Sequence, residues 1–292
     1  MPPYDIYVPE DLQDALRYMD DNGETTSIIA RGTDLLPRLR RRLISASSLL
    51  DISGLEKEMR YIRGVDGTIH LGALTTVSDL EGSSLLGREL ELVRDAAVKF
   101  GAPQIRNVAT VGGNLCSATS SEDLIPVFLA LDAKVRLSSV KKERVLPLRD
   151  FIVGKRTVFR KSGEILTEVE LPPLPANSSS AYEKMGRRNI LIIALVSMAT
   201  VISMEEDRET VRQARIALNR IAGRVPQRAP STEASLAGKR LTQDAISNAQ
   251  AALASELSLT DDFRASGAYR LEIAKIYLGR LLDRCASRLG GG

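Results

Sequence analysis

Short apolar runs alternate with helical patterns along the first fifty residues. Leu12, Ala15, Leu16 and Met19 recur at helical spacing, which predicts a helix over residues 9–19. Buried strands are predicted at residues 27–30 and 49–52. A helix is predicted between them at residues 35–43, because a proline is tolerated in a first helical turn. The pattern therefore indicates a small βαβ-like unit.

Alternation of apolar and polar residues is clearer in the next part of the chain. Strands are predicted at residues 61–63 and 68–71, joined by the hairpin signal Val65-Asp66-Gly67. Helical spacing predicts helices at residues 89–100 and 124–131, and alternation predicts strands at residues 134–137 and 165–171. This part therefore mixes strands and helices.

The most distinct linker signal divides the chain near residue 175. Pro172-Pro173-Leu174-Pro175 is followed by Asn177-Ser178-Ser179-Ser180. Beyond it, strands are predicted at residues 194–204 and 211–218, then helices at 242–254, with Thr242 as a possible cap, and at 264–289. Strands followed by helices indicate an α+β domain after the linker.

Composition and charge exclude only a few classes of protein. The 292 residues carry a net charge of +3, which is too small to indicate nucleic acid as a partner. No apolar run approaches the roughly 18 residues that span a bilayer. Residues 1–5 lack the pattern of a signal peptide, so we expect a cytoplasmic protein.

The chain has few side chains suited to redox or metal chemistry. Cys116 and Cys285 are too few to hold an iron–sulfur cluster, and His70 is the single histidine. His70 alternates with Ile69 and Leu71, which favours an ordinary strand histidine over a member of a catalytic triad. We expect no metal site and no catalytic side chain, so redox work must come from a bound cofactor.

Two segments couple an apolar run to a turn of small residues. The first runs Ile28-Ile29-Ala30-Arg31-Gly32-Thr33-Asp34-Leu35, and the second runs Thr110-Val111-Gly112-Gly113-Asn114. Such turns leave backbone N–H groups pointing one way, which suits a diphosphate. Taken alone, a Gly-Gly pair more often marks a tight turn. Together the two segments predict one dinucleotide held between them.

The order of several motifs is more specific than either turn. After the first segment come, in order, Ile69-His70-Leu71-Gly72-Ala73-Leu74-Thr75-Thr76, then Pro103-Gln104-Ile105-Arg106-Asn107, then the Gly-Gly segment. Residues 163–169 and 262–266 fit the same pattern. In this order the chain resembles the FAD-binding medium subunit of the molybdenum hydroxylases, which include xanthine dehydrogenase and carbon monoxide dehydrogenase.

The resemblance implies an α+β fold with FAD as the cofactor. A two-part, vanillyl-alcohol-oxidase-like FAD-binding domain would occupy residues 1–57 and 58–175. A smaller α+β C-terminal domain would occupy residues 181–289. The expected protein is an FAD-dependent oxidoreductase subunit that passes electrons from the [2Fe–2S] clusters of a small subunit, through FAD, to an external acceptor. A large molybdenum-cofactor subunit would hydroxylate the substrate.

The resemblance also carries site residues over to this chain. The diphosphate and adjoining parts of FAD would contact Ile28, Ile29, Ala30, Arg31, Gly32, Thr33, Asp34, Leu35, Thr110, Val111, Gly112, Gly113 and Asn114. Phe100 is similar to an aromatic position near the adenine, Asp123 to a position that hydrogen-bonds the cofactor, and Leu166 and Lys184 to positions that line the flavin. The alternatives are core packing for Phe100 and Leu166, a helix cap for Asp123, and a solvated charge for Lys184.

Three features depart from the family pattern. Arg31 stands where a glycine is usual, so its guanidinium either contacts a phosphate or crowds the cofactor. Ile192 stands where an Asp is common. The connection from Cys116 to Asp123 has no cysteine-rich insert, which argues against the hydroxybenzoyl-CoA reductase branch. The rival hypotheses are a stand-alone FAD-dependent reductase and a degenerate scaffold subunit without flavin.

Overall fold

A computed structural model describes residues 4–186, 193–219, 226–259 and 261–290. Its first unit is a parallel three-stranded sheet in the order β1-β3-β2. The elements of this unit are β1 (Asp5–Tyr7), α1 (Leu12–Asn22), β2 (Thr26–Ile29), α2 (Leu35–Arg40), β3 (Ser48–Asp51) and α3 (Glu56–Met59). The predicted βαβ-like unit is confirmed, with β1 as an additional edge strand.

Capping decides where the first helix starts. The Asp11 carboxylate accepts a hydrogen bond from the Asp14 N–H at 2.7 Å, so α1 begins three residues later than predicted. Ala15, Leu16 and Met19 are buried, as their spacing predicts. Helix α2 ends at Arg40, three residues early, and Arg42 has a positive φ of 54°. The buried face of α1 and the start of α2 were therefore predicted correctly, whereas both ends of α1 and the C-terminal end of α2 were not.

The second unit is built on a five-stranded antiparallel sheet in the order β4-β5-β10-β6-β7. Its strands are β4 (Ile62–Val65), β5 (Thr68–Gly72), β6 (Lys134–Ser138), β7 (Glu143–Pro147) and β10 (Ile165–Leu171), and a small ribbon pairs β8 (Ile152–Gly154) with β9 (Thr157–Val158). Its helices are α4 (Val77–Gly82), α5 (Glu91–Val98), α6 (Pro103–Arg106), α7 (Val111–Ser117), α8 (Leu124–Ala130) and α9 (Leu148–Phe151).

The predicted hairpin is confirmed. Asp66 and Gly67 form a two-residue loop with φ angles of 49° and 78°, the left-handed geometry that matches the twist of antiparallel strands. The strand β7 and the helix α4 were not predicted. Helix α5 begins at Glu91 because Arg88–Leu90 form a 3₁₀ turn, and Lys99 lies just beyond its end.

The third unit has an antiparallel sheet in the order β11-β12-β13-β14. Its elements are β11 (Ser178–Met185), β12 (Val196–Met204), β13 (Val211–Leu218), β14 (Gln227–Arg228), α10 (Pro230–Leu236), α11 (Gln243–Glu256) and α12 (Gly267–Gly290). The Thr242 hydroxyl caps α11 by accepting from the Ala245 N–H, as predicted. Helix α12 starts at Gly267 rather than at residue 264.

The linker prediction was wrong in its second half. Residues 178–180 belong to β11, whose register pairs Ser178 with Ser203. The two hydroxyl oxygens lie 2.7 Å apart, and Ser180 donates a hydrogen bond to the Glu89 carbonyl oxygen at 2.6 Å. A serine run resembles a linker in sequence, but here its hydroxyls are satisfied inside the fold.

Two hydrophobic cores organise these units, and the third sheet contributes residues to both. All seven residues of α8 are buried, and Phe128 belongs to the larger core shared by the first two units. Tyr182, Ala199, Val201 and Ala217 of the third sheet pack into that same core. The α+β fold class is confirmed, and the third unit is fixed against the helix that follows residue 123. None of the helices in the described ranges is apolar over a bilayer-spanning length.

Candidate functional site

The first loop, residues 30–34, follows β2 and precedes α2. Gly32 has a φ of 72°, a left-handed conformation that a side chain would strain. Its Cα also lies close to Leu36, since an added Cβ would fall 2.5 Å from the Leu36 Cδ1. Within the described ranges, the N–H groups of residues 31–34 have no protein acceptor. The loop therefore offers free backbone donors, as its sequence predicts.

The second segment is not an open turn, which corrects the sequence interpretation. Thr110 is the N-cap of α7, and its hydroxyl accepts from the Gly113 N–H at 3.1 Å. The N–H groups of Val111 and Gly112 donate to the carbonyl oxygens of Thr75 and Ala73, both at 2.9 Å. The N–H groups of residues 111–113 are therefore already satisfied and are not free to bind a phosphate.

Close packing explains the first glycine of the pair. A Cβ on Gly112 would lie 2.8 Å from the Ala73 Cβ and 2.9 Å from its carbonyl oxygen. A Cβ on Gly113 would meet only the Thr110 hydroxyl, and Gly113 is exposed. Gly112 thus lets α7 approach the chain after β5, and at Gly113 an added Cβ would lie 2.8 Å from the capping Thr110 hydroxyl.

One cavity brings the two segments together. Its volume is about 390 Å³, and it is lined by these predicted residues: Ile28, Ile29, Ala30, Arg31, Gly32, Thr33, Asp34, Leu35, Thr110, Gly112, Gly113 and Leu166. Leu166 is also 4% exposed and part of the larger core, so its packing interpretation is confirmed, and its contact with the flavin stays a prediction. Residues 28–35 and 110–113, far apart in sequence, are neighbours here.

Five predicted residues do not line this cavity. Val111 is buried in the core, and Phe100 packs against the same core, as its alternative interpretation had it. The Asn114 side-chain amide donates to the Glu122 carboxylate. Asp123 and Lys184 contact each other instead. The prediction that these residues touch the cofactor therefore has no support from the cavity lining.

Asp123 and Lys184 form a buried ion pair. The Lys184 Nζ lies 2.5 Å from the Asp123 Oδ2. The side chain of Lys184 is 6% exposed and that of Asp123 is 9% exposed. Lys184 also donates to the Lys99 carbonyl oxygen at 2.9 Å, and the Tyr182 hydroxyl lies 3.4 Å from Asp123. Burial raises the pKa of Asp123, and Lys184 acts against that rise.

The structure supports neither a helix-capping side chain at Asp123 nor a solvated charge at Lys184. Asp123 occupies the N-cap position of α8, but its side chain makes no capping hydrogen bond. Lys184 is buried rather than solvated. Because Asp123 precedes α8 and Lys184 lies on β11, the pair joins the second unit to the third.

Four arginines line the cavity, which makes its surface suited to an anion. Arg31 is paired with Glu56, and Arg38 lies 3.4 Å from the Asp34 carboxylate. The Arg31 Nε is buried without a hydrogen-bond partner in the described part of the chain. The ion pair with Glu56 ties the guanidinium down, and open space remains in the cavity. Arg31 thus leaves room for a ligand.

Arg156 and Arg160 are cavity residues that the sequence did not reveal. The Arg156 Nη1 donates to the Asp34 Oδ2 at 2.9 Å, and the Arg156 Nη2 donates to the Asp34 Oδ1 at 3.3 Å. Arg160 donates to backbone carbonyl oxygens of residues 161, 162 and 164. They lie on and beside the β8-β9 ribbon, more than a hundred residues from the first loop. No local sequence pattern indicates that Arg156 and Arg160 lie close to the first loop.

Two candidates for side-chain chemistry are inactive in this arrangement. Cys116 lines the cavity and its side chain is exposed there, while desolvation by the surrounding protein raises the pKa of its thiol to about 11 and favours the neutral form. His70 lies on β5 with its Nδ1 3.1 Å from the Glu168 carboxylate. Arg136 contacts both Glu168 and Glu170, at 3.1 and 2.6 Å, so these groups form an ion-pair network. His70 is a strand histidine, as predicted.

Comparison with known proteins decides the family. Residues 2–174 match the family described as the FAD binding domain in molybdopterin dehydrogenase. Residues 180–285 match the CO dehydrogenase flavoprotein C-terminal domain. The chain belongs to this family. It is an FAD-binding medium subunit of a molybdenum hydroxylase, and hence a subunit of an oxidoreductase.

Individual relatives agree with this assignment. The chain is 32% identical to the 6-hydroxypseudooxynicotine dehydrogenase complex subunit alpha of Paenarthrobacter nicotinovorans, over 98% of this chain and 96% of that protein. It is 30% identical to the glyceraldehyde dehydrogenase medium chain of Sulfolobus acidocaldarius, over 94% and 96%. Among solved structures, carbon monoxide dehydrogenase from Hydrogenophaga pseudoflava matches with a TM-score of 0.91, 28% identity and 99% coverage of both chains.

Of the three departures from the molybdenum hydroxylase family pattern, two lie among the residues that the structure describes. The substitution at Arg31 is accommodated by its ion pair with Glu56 on α3. The departure at Ile192, and the pair Arg187-Arg188 before it, lie outside the described residues. The connection from α7 to α8 is a short loop at residues 118–123.

Proposed function

We propose that this medium subunit binds FAD in the cavity between residues 28–35 and 110–113. It would pass electrons from the [2Fe–2S] clusters of a small partner subunit to an external acceptor, while a large subunit carries the molybdenum cofactor. The free N–H groups of residues 31–34, which face a cavity lined by four arginines, carry this proposal. When bound, FAD supplies the redox chemistry that the side chains lack.

The residues fit the negative diphosphate of FAD. Backbone N–H groups in a loop with one left-handed residue form an anion-binding concavity. Arg38 and Arg156 add positive charge but are already shared with Asp34. The arginines therefore neutralise Asp34 in the cavity wall, and the loop N–H groups are left to bind the phosphates.

Other residues orient the ligand and exclude water. Ala73, Leu74, Ile165 and Leu166 give the cavity an apolar wall. Gly113, in the first turn of α7, adds a cavity-lining position without a side chain. The raised pKa of the Cys116 thiol favours its neutral form. The chain thus binds and orients FAD, with no catalytic acid or base of its own.

Of the two rival functions, neither has a specific observation in its favour. The relatives are named as subunits and medium chains, which supports a subunit over a stand-alone reductase. The scaffold hypothesis depended on Arg31 and Ile192. The ion pair of Arg31 with Glu56 speaks against crowding of the cofactor by Arg31, and Ile192 lies outside the described residues. We therefore expect Arg31→Gly to change FAD affinity only slightly, whereas a large gain would favour the scaffold.

Co-purification with the chains encoded beside it tests the proposal directly. The expected complex contains one FAD for each medium subunit, together with iron, acid-labile sulfide and molybdenum. Titration of the isolated full chain with FAD should quench flavin fluorescence. A chain that binds no FAD, or a complex without iron and molybdenum, would contradict the proposal.

A further inference from the structure

Glu122 is a carboxyl group that the proposed function does not use. It lies in the loop between α7 and α8, directly before Asp123. Its Oε1 accepts a hydrogen bond from the Thr119 hydroxyl at 2.7 Å, and its Oε2 accepts from the Asn114 side-chain amide. Both donors are neutral. In the described ranges Glu122 has no ion-pair partner, so hydrogen bonds alone stabilise its charge.

A buried oxygen beside Glu122, the Asn114 Oδ1, has no hydrogen-bond donor among the described residues. The Ser117 hydroxyl, by contrast, interacts with the Glu122 carboxylate as a donor, which lowers the pKa of Glu122. A carboxylate can only accept hydrogen bonds, whereas a protonated carboxyl group can also donate one. Protonation of Glu122 would therefore supply a donor that this cluster needs. Ser117 also lines the cavity, so the cluster adjoins the ligand.

The charges around Glu122 favour its protonated form. Burial raises the pKa of Glu122 most, to about 7, while hydrogen bonds from the Thr119 and Ser117 hydroxyls act against that rise. The negative charges of Asp123, in its own loop, and of Asp34, in the first loop, raise the pKa further. The cations on neighbouring elements are already engaged: Lys184 of β11 with Asp123, and Arg156 with Asp34. Arg38, from α2, also pairs with Asp34. From α7 the Cys116 thiol stays neutral, and burial keeps the Tyr182 hydroxyl of β11 protonated.

We propose that Glu122 takes up a proton when FAD binds, so that FAD affinity falls as the pH rises above neutrality. This inference rests on FAD occupying the cavity as proposed above. The diphosphate adds negative charge near Asp34, and the ligand displaces water from the cavity. Both changes stabilise the neutral carboxyl group. One proton moves from solvent to Glu122, and no electron is transferred.

Calorimetric titration of the full chain with FAD measures the proton directly. Each titration is made in two buffers of different ionisation enthalpy, at about pH 6 and about pH 8, roughly one unit either side of the pKa. At the lower pH Glu122 is already protonated, so uptake should be small. At the higher pH uptake should approach one proton. Between them the affinity should fall, by up to about tenfold for each unit by which FAD raises the pKa.

Two variants identify the group. Glu122→Gln mimics the protonated form, so it should lose the extra uptake at about pH 8 and bind FAD there more tightly than the wild type. Glu206→Gln is the control, since Glu206 is an exposed carboxylate in the turn after β12. It should take up protons as the wild type does. Glu122→Met serves the same purpose if the Gln variant does not fold.

The outcomes separate this inference from the proposed function. FAD binding without proton uptake at about pH 8, or with the same uptake in both Glu122 variants, would overturn the role of Glu122 and leave the FAD site standing. A failure to bind FAD at either pH would instead overturn the site itself. A merely structural Glu122 would alter affinity at both pH values and leave the proton count unchanged.

Discussion

Single residues in the cavity owe their properties to partners that are distant in sequence. Asp34 was predicted to contact the cofactor, yet its carboxylate is bound by Arg156, and Arg38 lies nearby. An isolated carboxylate beside a diphosphate would repel it, so this pairing is what makes Asp34 compatible with an anionic ligand. The charge of the cavity therefore depends on which groups are paired.

Arg156→Ala should weaken FAD binding by about tenfold to a hundredfold, because a charge-assisted pair is lost and Asp34 is left less neutralised. Flavin fluorescence quenching measures the affinity. Arg149→Ala is the matched control, since that side chain is 69% exposed and pairs only weakly with Asp150. Equal affinities in both variants would show that Arg156 has no part in the site.

Glu122 should also make stability depend on pH. Burial raises its folded pKa from the model-peptide value of 4.5 to about 7, so the folded chain binds this proton more tightly than the unfolded chain. The contribution is therefore present at low pH and is lost as the pH rises through about 7. Glu122→Gln should raise the free energy of unfolding at about pH 8 by ~1–3 kcal/mol and much less at about pH 5. Urea denaturation at the two pH values measures the difference, and equal effects would argue against the raised pKa.

At the scale of elements, helix α7 shows why the Gly-Gly segment has its sequence. The segment was predicted to present free N–H groups, but it is a capped helical turn whose donors are satisfied by Thr110, Thr75 and Ala73. Gly112 serves close packing, and Gly113 lines the cavity. The N–H groups of residues 31–34 are free among the described residues, whereas those of residues 111–113 are occupied, so the two segments play different parts in one site.

Gly112→Ala should destabilise the protein by about 1–3 kcal/mol, because its methyl group would collide with the backbone and side chain of Ala73. Thermal unfolding measures the effect. Gly82→Ala is the control: it lies at the end of α4 with no atom within 4 Å of the added Cβ, and should be neutral or slightly stabilising. A neutral Gly112→Ala would show that α7 can shift away from β5.

At the scale of the whole molecule, the ion pair of Asp123 and Lys184 connects the second and third units. Asp123 precedes α8, whose residues are all buried and pack in the larger core, and Lys184 lies on the edge strand β11. Breaking a buried pair leaves an uncompensated charge, whereas removing both charges does not. The pair therefore makes the docking of the third unit specific.

Lys184→Met should destabilise the chain by about 3–5 kcal/mol, because Asp123 would be left buried without its cation. The double variant Asp123→Asn with Lys184→Met should recover most of that loss. Urea denaturation of the wild type, the two single variants Lys184→Met and Asp123→Asn, and the double variant measures the coupling. Additive effects of the two substitutions would mean that the ion pair does not hold the units together.

The amino-acid sequence determined much of this protein by itself. Periodicity placed the main helices and strands, since burying one face of each element requires it, and the order of motifs indicated the family and FAD. The glycine of the first loop was identifiable because only glycine adopts a left-handed φ without strain. Helix ends were less predictable, because caps such as Asp11 decide them.

Only the tertiary structure decided which groups meet. Arg156 reaches Asp34, Arg31 reaches Glu56, and Asp123 pairs with Lys184 across gaps in sequence that no local pattern encodes. Hydrogen bonds and charges act over a few ångströms, so their partners are set by how the units pack. For that reason the sequence could indicate a dinucleotide site, while the folded chain decided which donors stay free and which charges are neutralised.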